Sequence, residues 1–196
     1  MVGGKMKGVG GLRRFASLLM VGLAVVALAG CYPQYDWRQV VVGNGQVRAM
    51  LPAKPHTNER ELSFEGHAVT FVLTSASVDG VLFTVGYAAM PSALQGDDAA
   101  RLRLLQQTQR SLYQNLGVAP PARLPVAGER FGLSGQGQGR TLRIEGMAWI
   151  TRDALIEGLV VGPADGMPQD EINEFFRELA PDLRPLIPTA APEGAS

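Results

Sequence analysis

The stretch HAVTFVLTSASV-DG-VLFTVGY, residues 67–87, decides the fold. Its two runs are rich in Val, Thr and Phe, residue types that favour strands. Asp79-Gly80 between them is a turn signal, because both residue types tolerate the positive φ angles of a tight hairpin. A third run, Arg60–Glu65, precedes the same kind of turn at Glu65-Gly66. We therefore predict an antiparallel meander of three strands.

A second meander is predicted nearer the C terminus. Turn signals divide it into the strands Phe131–Gln138, Thr141–Thr151 and Ala154–Val161. Side chains on a strand alternate between its two faces. In the middle strand one face carries Leu142, Ile144, Ala148 and Ile150, and the other carries Arg143, Glu145, Met147 and Trp149. Because Met147 and Trp149 need cover, we expect the second face to be only partly solvated.

Two helices are predicted, one between the meanders and one after them. Leucines recur at helical spacing at Leu102, Leu105, Leu112 and Leu116, and Gly117 closes this segment. Asp97 or Asp98 is expected to cap its start and to complement its positive dipole end. The last helix is predicted to begin at Pro168 and to end at Pro181. Its apolar face consists of Ile172, Phe175, Phe176 and Leu179.

A hairpin precedes these elements, with strands at Trp37–Val42 and Val47–Leu51 around a glycine-rich turn. Strand runs that are segregated from helices indicate an α+β fold. We expect an antiparallel sheet built from two meanders, with the long central helix and the C-terminal helix packed on it. Residues 37–184 would form this single domain, and residues 185–196, rich in Pro, Ala and Gly, a disordered tail.

Several of these features together resemble the PsbP-like fold, which the photosystem extrinsic protein PsbP shares with the Ran-binding protein Mog. They are Met50–Pro55, the Phe64-Glu65-Gly66 turn, the long helix after the first meander, the glycine-rich strand pair and the closing Phe175-Phe176 helix. The resemblance covers about residues 37–184. It implies an α/β/α sandwich and a scaffold or binding role rather than turnover chemistry. No functional residue of those relatives is matched in this chain.

The N terminus has the pattern of a secretory signal peptide, predicted over residues 1–30. Lys5, Lys7, Arg13 and Arg14 form its basic region. The apolar run that follows, Phe15–Ala29, is short of the roughly 20 residues that a transmembrane helix needs. A cleaved or processed leader is therefore favoured over a permanent span.

Leu28-Ala29-Gly30-Cys31 ends this leader and resembles the lipobox of bacterial lipoproteins. The resemblance implies that signal peptidase II recognises Leu28, Ala29 and Gly30, and that Cys31 carries diacylglycerol and an N-linked acyl chain such as palmitate. A thiol is the side chain that forms a thioether most readily. The alternative is a chance cysteine at the end of an ordinary leader.

The residues after Cys31 bear on where the domain is held. Residues 31–36 would form a short lipidated tether to the membrane lipid. In lipoproteins of Gram-negative bacteria an Asp after the cysteine favours the inner membrane, whereas Tyr32 follows here. By resemblance, Tyr32 therefore indicates the outer membrane, with the domain facing the periplasm.

The composition of the mature chain argues against several function classes. Removal of the four basic leader residues leaves 14 Lys and Arg against 18 Asp and Glu, a net charge of −4. This charge disfavours nucleic-acid binding, which depends on Lys and Arg contacts to phosphate. A single cysteine forms no intramolecular disulfide. His56 and His67 do not lie at a spacing typical of metal ligands, so we interpret them as surface histidines. We expect no metal and no cofactor.

Two short motifs invite a chemical interpretation. Gly132-Leu133-Ser134-Gly135-Gln136 misses the nucleophile elbow Gly-x-Ser-x-Gly at its last position, and it lies in a predicted strand. Gly135, Gly137 and Gly139 lack the helix start that a phosphate-binding loop requires. Glycines at period 2 instead predict a bare strip of strand against which another element packs closely.

The remaining polar and aromatic residues have simple structural interpretations. The acidic pairs Asp97-Asp98 and Asp170-Glu171 lie at helix starts, where a cap explains them. Three arginines, Arg101, Arg103 and Arg110, are predicted to lie on a solvated helix face, with docking to anionic headgroups as a minority alternative. Tyr32, Tyr35 and Trp37 could lie at the membrane interface, although strand packing is favoured for Trp37.

Three functions are open at this point. The leading hypothesis is a non-catalytic binding or assembly module with an envelope protein as its partner. The alternative is a lipid or small-molecule carrier whose cavity is lined by Phe83, Tyr87, Leu105 and Trp149. A hydrolase is third.

Overall fold

The structure is a computed structural model, and it describes residues 34–137 and 139–183. The predicted signal peptide, lipobox, lipidation site and residues 31–33 of the tether lie outside the described residues, as does the predicted tail. The elements described below belong to the compact unit that begins at Tyr35.

The elements of this unit follow the predicted order of strands, helix, strands and helix. The strands are β1 (Arg38–Val42), β2 (Val47–Leu51), β3 (His56–Phe64), β4 (His67–Val78), β5 (Val81–Ala89), β6 (Phe131–Gly137), β7 (Arg140–Ile150), β8 (Ala154–Pro163) and β9 (Ala180–Pro181). The helices are α1 (Asp98–Asn115) and α2 (Gln169–Glu178), and a short 3-10 turn spans Ser92–Leu94.

A six-stranded antiparallel sheet has the strand order β3-β4-β5-β8-β7-β6. The two predicted meanders, β3-β4-β5 and β6-β7-β8, are confirmed, and β5 pairs with β8 to join them. Both predicted turns of the first meander have positive φ at each central residue: Glu65 and Gly66 at 46° and 81°, Asp79 and Gly80 at 48° and 78°. These are the angles that a two-residue hairpin requires.

A second, three-stranded sheet has the order β1-β2-β9. The predicted hairpin forms it but does not join the main sheet. Leu51 is followed by Pro52, which cannot donate to a ladder, and the buried side chains of β2 pack onto the main sheet instead. The chain after α2 also differs from expectation, because the helix ends at Glu178 and Ala180–Pro181 pairs with β2.

Helix α1 covers one face of the main sheet. Asp97 accepts a hydrogen bond of 2.8 Å from the backbone nitrogen of Ala100, so Asp97 rather than Asp98 is the cap. The helix packs over Phe71, Ala88 and Leu155, and its buried residues are Ala100, Leu104, Leu105, Thr108, Gln109 and Tyr113. The predicted stripe is therefore partly wrong: Leu105 and Leu116 are buried, but Leu102 is 50% exposed.

Helix α2 and the small sheet cover the opposite face. Ile172, Phe175 and Phe176 pack against Phe83 and Ile156 of the main sheet, as the predicted helix face requires. A side chain at Gly158 would contact Leu179 and the two phenylalanine rings, so the absence of a Cβ lets the helix approach β8 closely. Met147 and Trp149 pack against this same cluster, which confirms that the second face of β7 is covered.

Candidate functional site

Tyr35 and Trp37 belong to the folded domain, whereas Tyr32 lies outside the described residues. The rings of Tyr35 and Trp37 stack at a centroid distance of 6.2 Å. Trp37 also meets Phe83 edge to face at 6.3 Å. Packing of Trp37 in the domain, the favoured prediction, is confirmed.

The serine and histidine candidates do not converge on one another. Ser134 lies within β6 opposite Arg143 of β7, so the strand-to-helix turn of a nucleophile elbow is not formed there. His56 and His67 lie at opposite ends of the β3–β4 ladder. Within residues 34–137 and 139–183 no cluster of three or more His, Cys, Asp or Glu side chains could hold a metal ion.

The glycine strip on β6 packs against the end of α1, as predicted. A Cβ at Gly135 would collide with the carbonyl oxygen of Leu116, and one at Gly137 would lie 2.7 Å from the Leu142 side chain. Gly139 differs, because it lies in the turn with a φ of 76° and nothing within 4 Å of its Cβ position. The strip is therefore filled from inside the domain.

The charged residues at the helix starts and on α1 have structural roles within the domain. Asp98 pairs with Arg101 on α1. Arg103 makes two hydrogen bonds to Glu65, at 2.7 and 3.1 Å, and so ties the β3–β4 turn to α1. Asp170 and Glu171 occupy the first turn of α2, where they complement its dipole.

The predicted carrier cavity is not assembled. Phe83, Tyr87 and Trp149 belong to the core cluster beneath α2, whereas Leu105 belongs to the cluster beneath α1. The six-stranded sheet separates the two clusters, and Phe83 is fully buried. These four side chains therefore do not line a common space.

Glu145 forms a buried ionic cluster that was not predicted from the sequence. It accepts hydrogen bonds from Arg130 at 2.5 Å, Arg143 at 3.0 Å and Gln169 at 3.3 Å. Burial alone would raise the pKa of the Glu145 carboxyl, but these hydrogen bonds outweigh it and hold the pKa below its usual value. Arg130 also stacks over the Phe176 ring at 4.8 Å. The cluster links β7 to α2.

Glu157 is a second buried carboxyl, and its environment is the opposite of that of Glu145. It lies in β8 between Gly86 of β5 and Ala148 of β7, and in the described part of the chain its Oε1 has no hydrogen-bond partner. Burial raises the pKa of Glu157 to about 7. A single acid within the apolar run Leu155–Leu159 was the available sequence signal.

Within residues 34–137 and 139–183, strand β3 pairs only with β4 and therefore forms an open edge of the main sheet. Eight of its nine residues are exposed, and only Phe64 at its end is buried. The other edge, β6, is partly closed, because the backbone nitrogen of Gln136 donates to the carbonyl oxygen of Leu116 at 3.1 Å. An open edge presents unpaired backbone donors and acceptors to solvent.

The hairpin turn fixes which backbone groups of β3 face outward. Phe64 and His67 flank the two-residue turn and therefore form a pair joined by backbone hydrogen bonds. Hydrogen-bonded pairs recur at every second residue of an antiparallel ladder. The residues between them direct their N–H and C=O groups away from β4, and these are Thr57, Glu59, Glu61 and Ser63.

An open groove of about 420 Å³ lies between α1 and the connector that follows it. Its lining is mainly apolar, and it includes the exposed side chains of Leu102 and Val126. Gln109 joins the two walls through a hydrogen bond of 3.0 Å from its Nε2 to the carbonyl oxygen of Pro125. The sequence indicated the helix but not this wall.

In the described part of the chain no helix is both long and apolar enough to cross a membrane. No family model, curated protein or solved structure matches the chain.

Proposed function

We propose that this chain is a lipid-anchored bacterial envelope protein, held at the outer membrane through Cys31, whose folded domain is a non-catalytic binding module facing the periplasm. The anchor is supported by Leu28-Ala29-Gly30-Cys31 after a basic and apolar leader. Several acyl chains hold a protein at a bilayer far more firmly than one chain does.

The open edge strand β3 is the observation that carries the binding role. Neither α1 nor α2 covers it, since the residues on both of its faces are exposed up to Ser63. Its turn is nevertheless fixed in place by the buried Phe64 and by the Arg103–Glu65 ion pair. A rigid strand with free backbone groups is the surface that an extended segment of another protein joins by β-augmentation.

The charges on β3 favour a partner other than a second copy of this chain. If the β3 strands of two copies paired antiparallel with full overlap, Glu59 of one copy would face Glu61 of the other. A shift by two residues in either direction would set Glu59 or Glu61 against itself. Like charges directly opposite one another destabilise a strand pair.

A cationic partner strand fits the same positions. Glu59 and Glu61 share one face of β3, because side chains of alternate residues lie on the same side. Lys or Arg at alternate positions of an incoming strand would face them. We therefore infer that the partner contributes an extended segment with basic residues at alternate positions.

The layer order supports the PsbP-like resemblance as part of this proposal. Helix α1 covers one face of an antiparallel sheet, and α2 with the small sheet covers the other. This is the helix, sheet and helix order that the resemblance implies, and it agrees with a scaffold role.

The anchor is tested by Cys31→Ser. We expect the variant to incorporate no labelled palmitate in the producing bacterium, whereas the matched variant Tyr35→Ser, beyond the lipobox, incorporates it normally. Equal labelling of the Cys31→Ser chain would contradict the anchor.

The binding role is tested by site-specific photo-crosslinking of the anchored full chain in cells. A benzophenone side chain is placed at Glu59 or Glu61 on β3 and, as controls, at Gln107 on α1 or Glu178 on α2, all of which are exposed. We expect one discrete adduct from the β3 positions and none from the controls. Ser63→Pro, which removes an outward N–H without breaking the β3–β4 ladder, should abolish the adduct.

Three results would contradict the role. They are no adduct from β3, adducts of the same size from the control positions, and an adduct that contains only a second copy of this chain.

A further inference from the structure

The groove between α1 and residues 122–127 has an apolar end and a cationic end. Leu102, Leu105, Val126 and Ile150 line the first, and Arg110 and Arg123 line the second. Along α1, Leu102 and Arg110 are eight residues apart, so they share one side of the helix about 12 Å from each other along its axis.

The connector runs in the opposite direction to α1, which sets the polarity of the second wall. Leu124 packs with the cluster around Tyr113 and Leu116 near the end of α1. The carbonyl oxygen of Pro125 accepts a hydrogen bond from Gln109. Further along the connector, the backbone nitrogen of Gly128 donates a hydrogen bond of 2.8 Å to the carbonyl oxygen of Ala148. Arg123 therefore lies toward the end of α1 and Val126 toward its start.

The apolar end leaves hydrophobic surface in contact with water. The side chains of Leu102 and Val126 are 50% and 54% exposed, and they stand on opposite walls of the same groove. An exposed hydrophobic patch inside a concave surface marks a binding site more often than scattered apolar residues do. The volume of about 420 Å³ is within the range of small-molecule sites.

The cationic end carries one positive charge in excess. Arg123 pairs with Glu129 at 3.3 Å, and Glu129 also accepts a hydrogen bond from the backbone nitrogen of Val126. Arg110 is exposed and has no acidic partner in the described part of the chain. Two guanidinium groups against one carboxylate therefore leave room for one further anion.

We propose that this groove binds a long-chain fatty acid, with the acyl chain along the apolar end and the carboxylate at Arg110 and Arg123. By volume, about 420 Å³ is closer to one acyl chain than to the two chains and headgroup of a phospholipid. One carboxylate matches the single excess charge. The inference is independent of the partner proposed for β3, since no residue of β3 lines the groove.

The test uses the lipidated full chain in nanodiscs and palmitate that carries a photoreactive diazirine on its acyl chain. After irradiation, mass spectrometry locates the labelled residues. We expect labelling in the groove at Leu102, Leu105, Val126 or Ile150, and competition by unlabelled palmitate but not by hexadecanol, which has the same chain without the carboxylate.

Matched surface variants separate groove binding from general adsorption. Leu102→Asp should weaken labelling about tenfold, because it places a carboxylate in the apolar end. Arg110→Gln should weaken it by a similar factor. Val41→Asp and Arg140→Gln, which change an exposed apolar residue and an exposed arginine outside the groove, should have no effect.

Three outcomes would overturn the proposal. They are labelling spread over the surface, equal labelling of Leu102→Asp and the unchanged chain, and equal competition by hexadecanol. None of them bears on the β3 crosslinks, so failure here is distinguishable from failure of the proposed function.

Discussion

The side-chain Nε2 of Gln109 donates a hydrogen bond of 3.0 Å to the carbonyl oxygen of Pro125, and this bond joins helix α1 to the connector that forms the second wall of the groove. Gln109 is only 1% exposed, and its Oε1 has no hydrogen-bond partner among the residues that the structure describes. The bond that Gln109 donates offsets part of the cost of burying its amide, because burial of an unpaired polar atom is unfavourable.

Replacement of Gln109 should loosen the groove. Gln109→Ala removes the donor to Pro125 and leaves a buried cavity, so we expect a loss of about 1–3 kcal/mol in the free energy of unfolding. Palmitate labelling of the groove should also weaken. Urea denaturation and the labelling assay measure the two effects. Gln107→Ala, on the exposed side of the same helix, is the control and should change neither quantity.

The buried carboxyl of Glu157 predicts a loss of stability with rising pH. Its pKa is raised to about 7 in the folded chain by burial, whereas an unfolded chain releases the proton near 4.5. Between these values the unfolded chain binds fewer protons than the folded chain, so stability falls as the pH rises. The contribution is fully present below pH 4.5 and is lost by about pH 7.

Urea denaturation at pH 5 and pH 8 measures this effect. The unchanged chain should lose up to about 3 kcal/mol between the two conditions relative to Glu157→Gln, whose side chain does not ionise. Glu178→Gln, which changes an exposed carboxyl on α2, should keep the pH dependence of the unchanged chain. The same slope in Glu157→Gln would contradict the prediction.

The cluster around Glu145 predicts a pH dependence of the opposite sign. Because its pKa is lowered in the folded chain, the stability it contributes is present above the ordinary carboxyl pKa and is lost as the pH falls through the lowered value. Glu145→Gln should destabilise the chain at pH 7 by about 3 kcal/mol, since Arg130 and Arg143 lose a charged acceptor. Equal stability of Glu145→Gln and the unchanged chain at pH 7 would show that the cluster is not structural.

Close packing over Gly158 predicts a steric effect. Gly158→Ala would bring a Cβ against Leu179 and within 3.5 Å of the Phe175 and Phe176 rings. We expect a loss of about 1–3 kcal/mol, because α2 must shift away from β8. Gly96→Ala is the control, since its Cβ would have nothing within 4 Å, and it should leave thermal unfolding unchanged. Equal melting temperatures of the two variants would contradict this account of the packing.

Local sequence signals predicted the elements well, because the interactions behind them are local. Asp79-Gly80 makes a tight turn through its own backbone angles, and Asp97 caps α1 through a residue three positions away. The strand order within each meander followed from such turns, whereas the pairing of β5 with β8 and the separate sheet of β1, β2 and β9 did not. The orientation of α1 did not follow from local signals, since the burial of Leu104 and the exposure of Leu102 depend on how the helix lies across the sheet.

The surfaces proposed for binding depend on contacts between distant segments. Arg130 and Gln169, two of the three residues that donate to Glu145, are 15 and 24 residues away in the chain, and only Arg143 is a local neighbour. The second wall of the groove comes from a proline-broken connector that sequence patterns indicated only as a link. The open edge at β3 depends on β1 and β2 forming a separate sheet, which no local pattern in the sequence indicated.

Residue-resolved amide hydrogen exchange tests the role of β3 most directly. The anchored full chain is compared alone and in the complex isolated through the β3 crosslink. The account predicts that the amides of Thr57, Glu59, Glu61 and Ser63 become protected in the complex, while those of Asn58, Arg60 and Leu62, already bonded to β4, change little. A complex in which the four outward amides exchange as fast as in the free chain would contradict β-augmentation at this edge.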